Sequence, residues 1–334
     1  MPLTVLFNTY PVAFHCPGGG EIQLLKYKEA LSSLGVRVLL YDPWKPQFDQ
    51  VDLVHYFSVQ GGSWRFCMHV RQIGLPLVIS SILWITPERL KSPIDEIYTL
   101  LHNCDAVLPN SIAEARQQSK IFGVPLEKFM PIVNGVEEIF LQPADPQLFR
   151  SFLGTEGPFV LNVGNIERRK NQLGLIRAMQ GLGLPLILVG NVREPDYWNQ
   201  CQAEGGRAVR WVGPLEYGGE LHRSAYAACA VFALPSTMET PGLTALEALA
   251  CGARVVITQE GCTHEYFEGH AIYVAPDLPE SIREGLLLAL SRPVNVCAQR
   301  QFVAERYTWA RAAQQLLDVY TSVVNSEGRS IISL

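Results

Sequence analysis

The chain has 334 residues, 48% of them hydrophobic and 18% charged, the composition of a folded protein rather than a disordered one. That length is long for a single core and comfortable for two domains. A net charge of −5 gives no general electrostatic reason to bind nucleic acid or an acidic membrane, and no apolar stretch approaches the roughly 20 residues that span a bilayer.

Residues 1–3 lead straight into a strand with no basic run before them, so no signal peptide is expected. Strands are predicted at 5–8, 36–41, 53–55, 77–80, 106–108 and 129–132. A second series follows at 159–163, 186–189, 209–212, 231–234, 255–257 and 272–274. Amphipathic segments rich in Ala, Leu, Glu, Gln and Arg fill the gaps. This alternation implies βαβ units and parallel sheets, hence an α/β fold. The LQPADP run at 141–146 breaks both strand and helix, which divides the chain into 1–145 and a second domain starting at 146. Residues 307–324 read as an amphipathic helix with Trp309, Leu316, Leu317, Tyr320 and Val324 on one stripe, and 326–334 as a tail. The eight cysteines form no C-x-x-C pair and read as reduced core residues, which suggests a cytoplasmic protein. Cys16 alone stands apart, beside a glycine loop.

That loop, Cys16-Pro-Gly18-Gly19-Gly20-Glu21, lies between the first strand and a helix expected to start near Ile22. Three glycines let backbone approach a ligand and leave helix N–H groups open, although a plain tight turn reads the same way. It is neither a P-loop nor G-x-G-x-x-G. Trp64 and Trp84 offer aromatic faces for a sugar, or core packing. Asn110-Ser111 suits a helix cap. At the end of the seventh predicted strand, Val163-Gly164-Asn165-Ile166-Glu167-Arg168-Arg169-Lys170-Asn171 puts three positive charges where an open α/β sheet binds anions.

The segment LPSTMETPGLTALEALACGARVVIT carries the most chemistry. Thr240 is expected to cap a helix with Pro241 at its first position, and Gly252 to end it before the next strand. Glu239 in the loop and Glu247 in the helix flank a helix N-terminus that attracts anions. Two carboxylates beside an anion site repel the ligand unless they grip its hydroxyls. A nucleotide sugar has both phosphate and hydroxyls. No Asp-x-Asp, no histidine pair at ligand spacing and no G-x-S-x-G occurs, so neither a metal centre nor a hydrolase elbow is expected.

Glu239-Thr-Pro-Gly242-Leu243-Thr-Ala-Leu-Glu247-Ala-Leu-Ala-Cys-Gly252-Ala-Arg-Val-Val resembles the donor motif E-P-F-G-L-x-x-L-E-A-M-A-C-G-x-P-V-V of the retaining GT-B glycosyltransferases of the family-four, or group 1, type. The resemblance implies two facing Rossmann-like domains, with a last helix that crosses back. The first domain, 1–145 plus about 309–334, then takes the acceptor, and 146–308 binds the donor. It implies that Glu239 and the backbone of Thr240, Pro241, Gly242 and Leu243 contact the transferred sugar, while Glu247 binds the ribose. Gly164 and Asn165 lie in the family's V-G-R-x-x-x-x-K-G turn, where Lys170 matches the lysine that neutralises the diphosphate. Asn165 replaces the family arginine, so Arg169 or Arg168 would supply the second charge.

Gly19 and Gly20 correspond to a turn facing the diphosphate, Pro214 and Leu215 to backbone that reads the base, and residues 261–265 to the G-G-x-x-E segment. His55, in Val-Asp-Leu-Val-His, would lie near the cleft, or be a satisfied core histidine. A second family histidine is missing from Ser80-Ser81-Ile82-Leu83-Trp84. The implied function is metal-free transfer, with retention, of a sugar from a nucleoside diphosphate donor, UDP-glucose for example, to a saccharide or lipid-linked saccharide. No cofactor is expected, and membrane contact is at most peripheral. Two alternatives stay open: a same-fold phosphorylase, and an inactive member that binds sugar nucleotides.

Overall fold

The computed structural model describes residues 2–15, 18–60, 62–85 and 94–330. Contacts gather the chain into two units, Met1–Gly135 with Trp309–Leu334, and Val136–Thr308. The boundary therefore falls before the 145/146 break expected from the prolines. Phe140 explains the difference: it is fully buried, with its ring 5.6 Å from Tyr217, 5.7 Å from His222 and 6.2 Å from Tyr226. Its burial holds the residues after Gly135 to the second unit.

In the first unit, β1 (Thr4–Thr9), β2 (Arg37–Leu40), β3 (Leu53–Phe57), β4 (Leu77–Ser80) and β5 (Ala106–Val107) form a parallel sheet in the order β2-β1-β3-β4-β5. Helices α1 (Gly19–Ser33), α2 (Trp64–Gln72), α3 (Ile94–Asn103) and α4 (Ile112–Phe122) connect or follow the strands. Central strands are apolar without alternation because helices cover both faces; Leu77, Val78 and Ile79 are fully buried. The strand expected at 129–132 reduces to a single bridge between Val107 and Phe129. Pro131 has no N–H to continue a ladder there.

The second unit carries β6 (Val160–Val163), β7 (Leu186–Val189), β8 (Val209–Trp211), β9 (Val231–Leu234), β10 (Val255–Thr258) and β11 (Ala271–Val274). Their parallel order is β11-β10-β9-β6-β7-β8. Its helices are α5 (Pro146–Leu153), α6 (Gln172–Met179), α7 (Pro195–Gly205), α8 (Glu220–Ala228), α9 (Leu243–Ala250), α10 (Thr263–Phe267), α11 (Pro279–Ser291) and α12 (Val296–Arg306). The chain builds outward from β6 to β8, then returns to the other side of β6 with β9. Strand order reverses between β6 and β9, and open α/β sheets bind ligands outside the carboxyl ends of strands at such a reversal.

The last helix, α13 (Trp309–Ser330), packs on α1 of the first unit. Leu316, Val319, Tyr320 and Val323 are buried, and the Trp309 ring lies 5.8 Å from that of Tyr27. Leu317 and Val324, expected on the stripe, sit half-buried at its margin. The helix also continues through Ser330, where a tail was expected from 326; residues 331–334 lie outside the described residues. Among the described residues no helix is long and apolar enough to cross a membrane.

Candidate functional site

The turn after β6 sets the cation cluster. Arg168–Lys170 forms one turn of 3-10 helix, and Asn171 follows in the left-handed region with φ 56°. Asn is among the few residues that tolerate this conformation. The Asn171 amide donates to Pro235 O at 3.0 Å and Pro276 O at 2.7 Å, and its oxygen accepts from Gly174 N at 3.3 Å. One side chain thus ties together the loops that follow β6, β9 and β11.

Lys170 is thereby aimed at the loop after β9. Its Nζ lies 2.6 Å from Glu239 Oε1, and the Ser236 hydroxyl donates to that same oxygen at 2.6 Å. Arg169 Nη1 is 3.7 Å from it. Glu239 is 5% exposed. Burial works against its ionisation, but the Lys170 ammonium and Arg169 guanidinium outweigh that and hold the carboxyl below the usual carboxylate range. Burial lowers the Lys170 pKa, with Glu239 pulling the other way. Arg169 also pairs with Glu167 at 3.1 Å, and Glu167 pairs with Arg193 at 3.0 Å. Three cations and two carboxylates therefore meet at the sheet reversal.

Backbone contacts hold Glu239 in place. Its N–H donates to Glu260 O at 3.2 Å, and its carbonyl accepts from Cys262 N at 3.1 Å. A Cβ on Gly261 would sit 2.0 Å from Glu239 O, at φ +98°, so this close approach requires glycine.

Helix α9 starts later than expected. Its N-cap is Gly242 at φ 94°, not Thr240, and Thr240 and Pro241 precede the helix. Gly242 turns the chain, and its carbonyl accepts from Ala245 N at 3.0 Å and Leu246 N at 3.2 Å. With no capping side chain, the first N–H groups, those of Leu243 and its neighbour, stay open to an anion. Glu247 sits in the middle of α9 and is 2% exposed. Tyr226 Oη donates to its Oε2 at 2.9 Å, and burial pushes its pKa up to about 7. The two glutamates have different partners: Glu239 has Lys170, and Glu247 has Tyr226.

The other second-unit candidates lie on neighbouring strand ends. The stem of Lys170 passes over Gly164, where an added Cβ would meet Lys170 Cε at 3.6 Å. Asn165 is half-buried and its carbonyl accepts from Gln172 Nε2 at 3.0 Å. Pro214 is exposed and Leu215 half-buried after β8, two strands from β6.

In the first unit, α1 begins at Gly19 with Gly18 as N-cap, not near Ile22. Glu21 turns back to accept from Gly18 N at 2.7 Å and from Tyr10 Oη at 2.9 Å, so its carboxylate takes the place of a capping side chain. An added Cβ on Gly19 meets nothing within 4 Å, whereas on Gly20 it would approach Ile82 Cδ1 at 3.3 Å. Cys16 lies outside the described residues. Ser111 caps α4 as expected, accepting from Glu114 N at 3.0 Å.

His55 is a core histidine and not a cleft residue. It is fully buried, Nδ1 lies 2.6 Å from Tyr320 Oη and Nε2 2.8 Å from Ser80 Oγ, and burial lowers its pKa to about 3. Trp84 is half-buried, and Trp64 lies at the surface with the Arg65 guanidinium over its ring.

Sequence reasoning passed over Ser236, Asn171 and Arg193. Ser236 stands three residues before Glu239, and Asn171 follows the matched lysine, so position offered a hint for both. Arg193 arrives from the loop after β7, and no local pattern marks it.

A parallel α/β unit with an uncapped helix N-terminus and buried Lys–Glu pair at its strand-order reversal is built for an anionic ligand with hydroxyls. Residues 145–308 match the family model for glycosyl transferases group 1. It is 30% identical over 227 residues to an uncharacterized glycosyltransferase of Methanocaldococcus jannaschii, covering 63% of this chain and 58% of the relative. It is 26% identical over 258 residues to the D-inositol 3-phosphate glycosyltransferase of Rhodococcus erythropolis, covering 70% and 57%. The chain thus spans less than two thirds of the length of these curated relatives. The fold is GT-B. Sucrose-phosphate synthase from Thermosynechococcus elongatus superposes with a TM-score of 0.80 at 19% identity, covering 98% of this chain and 100% of that one. Anabaena HepE in complex with UDP gives 0.77 at 20% identity, covering 96% and 100%.

Proposed function

We propose that this chain transfers a sugar from a nucleoside diphosphate donor, UDP-glucose or a close relative, to a saccharide or lipid-linked saccharide acceptor, with retention and without a metal. The observation that carries the reading is the Lys170–Glu239 contact of 2.6 Å at the reversal between β6 and β9. A diphosphate competes for Lys170, Arg169 and the open amides of α9, and its arrival releases Glu239 to accept from sugar hydroxyls. Charge building on the leaving phosphate is then met by donors already in position. That phosphate itself deprotonates the incoming hydroxyl on the same face, so no residue is assigned as general base. Glu247 grips the ribose, Pro214 and Leu215 border the base, Gly19 and Gly20 bind the donor diphosphate, and the first unit otherwise serves the acceptor. Support for a nucleotide donor also comes from HepE, whose structures hold UDP and glucose.

The missing arginine at Asn165 would favour an inactive member, but Arg169 beside Glu239 supplies a charge in its place. The test is turnover of a panel of nucleotide sugars with saccharide acceptors in excess EDTA. Activity should persist and the product should keep the donor's anomeric configuration. Loss in EDTA with recovery on adding Mg²⁺ or Mn²⁺ would refute metal-free transfer, and an inverted product would refute retention.

A further inference from the structure

Two loops of the second unit meet where Ile166 and Val192 form a parallel bridge. The next two residues on each side carry opposite charges in register. Glu167 pairs with Arg193 at 3.0 Å, and Arg168 pairs with Glu194 at 3.4 Å. Arg193 N and Glu194 N both donate to Ile166 O at 3.2 Å, and Arg168 N donates to Glu194 Oε1 at 3.2 Å. The loop after β7 therefore clasps the turn after β6, the turn that carries Arg169 and Lys170.

The two ion pairs are not equivalent. The Arg168 and Glu194 side chains are 60% and 41% exposed, and a pair so open to water contributes little. The Glu167 side chain is only 7% exposed, so its carboxylate depends on its partners. One oxygen accepts from Arg193 Nη1 and the other from Arg169 Nη2 at 3.1 Å. A guanidinium is planar, so holding Nη2 fixes where Nη1 points. It points toward Glu239, 3.7 Å away. The Arg169 carbonyl accepts from Thr237 N at 2.8 Å, which fixes the backbone end of the same residue. Arg193 also sets the sign of the cluster. Lys170, Arg169 and Arg193 against Glu167 and Glu239 leave a net positive charge, and without Arg193 the charges cancel.

We propose that Arg193 is a positioning residue for the nucleotide diphosphate: it occupies one oxygen of Glu167, so that Arg169 keeps Nη1 for the ligand. This rests on the donor site proposed above. Without Arg193, both oxygens of a buried carboxylate close on Arg169 and draw its guanidinium off the diphosphate. Arg193 thus acts through Glu167 and Arg169, from a loop that the donor motif does not include.

The test is calorimetric titration of the full chain with UDP and with uridine, which lacks the phosphates. Arg193→Met should weaken UDP at least about fivefold, the low end of coupling between a ligand and a residue that acts on it indirectly, and spare uridine. Arg193→Lys, which keeps the charge, should recover most of that loss. The double variant Glu167→Gln/Arg193→Met should also bind UDP more tightly than Arg193→Met, because the competing carboxylate is gone; simple loss of structure would add instead. Arg168→Met removes a charge from the exposed pair and should change neither ligand. Wild-type UDP affinity in Arg193→Met, equal losses of UDP and uridine, a double variant no tighter than the single one, or an equal loss in Arg168→Met would each overturn the proposal. If UDP binding also ignores Lys170→Met, the donor reading falls with it. If binding needs Lys170 but not Arg193, only the role of Arg193 falls.

Discussion

Removing Lys170 probes the candidate site at its most constrained contact. The Lys170 side chain is 13% exposed and that of Glu239 6%, so the pair is largely out of water. Removing one partner of a buried pair costs ~3–5 kcal/mol because the other charge is left uncompensated. Arg169 remains 3.7 Å from Glu239 and Ser236 still donates to it, which favours the lower end of that range. About 3 kcal/mol in a domain of this size lowers the melting temperature by roughly 6–12 °C. Lys170→Met should therefore destabilise the second unit by that amount, and Glu239→Gln should do the same by stranding the ammonium. The double variant carries neither charge and should melt nearer the wild type than either single one, since a buried pair replaced as a whole is often neutral. UDP binding should behave differently. It should fall roughly 10- to 150-fold in both variants that lack Lys170, with a smaller change for uridine, which has no phosphate. Thermal unfolding and calorimetric titration read the two effects separately. Additive melting losses in the double variant, or an unchanged ratio of UDP to uridine affinity in Lys170→Met, would refute this account.

Glu247 has its pKa raised by burial to about 7, against about 4.3 for an unfolded chain. Its contribution is therefore fully present below pH about 4 and is lost as pH rises through about 7, a total of ~4 kcal/mol. Glu247→Gln should flatten the fall in stability between pH 4 and 8 by that amount in urea unfolding at a series of pH values; an identical slope would show that the carboxyl does not titrate there. As the proposed ribose grip, Glu247→Ala should also weaken UDP binding, and equal affinity would dismiss the assignment. Truncation before Trp309 removes the Tyr320 hydroxyl from His55 and the Trp309 ring from Tyr27. The first unit should then melt earlier and bind a hydrophobic dye, and unchanged melting would show that α13 contributes nothing to it.

The strands were legible because a parallel sheet buried on both faces demands uninterrupted apolar runs, and that demand is local. Val231–Leu234, an uninterrupted apolar run, is a strand buried along its whole length. Helix starts were less legible, since a cap is a competition among neighbours. Thr240 has the right side chain, but Gly242 can turn the chain at positive φ, and the helix starts after the residue that turns. At Gly18 the winner is a backbone position whose N–H is taken by Glu21, three residues on.

Partners were least legible of all. His55 reads as a candidate cleft residue until Tyr320, 265 positions away, closes on its Nδ1. The same rule separates the two glutamates of the donor motif. They share one short segment, yet Glu239 is held ionised by Lys170, while burial under Tyr226 favours the protonated form of Glu247. Periodicity places both residues on the right element, but their charge states depend on residues brought in by β6 and α8. The motif assigns the two carboxyls different ligands but carries no sign of their unlike charge states. The difference predicts unlike responses to acid: below neutral pH Glu239 stays an anion and Glu247 takes up a proton, so the proposed grip on the sugar should outlast the proposed grip on the ribose as pH falls.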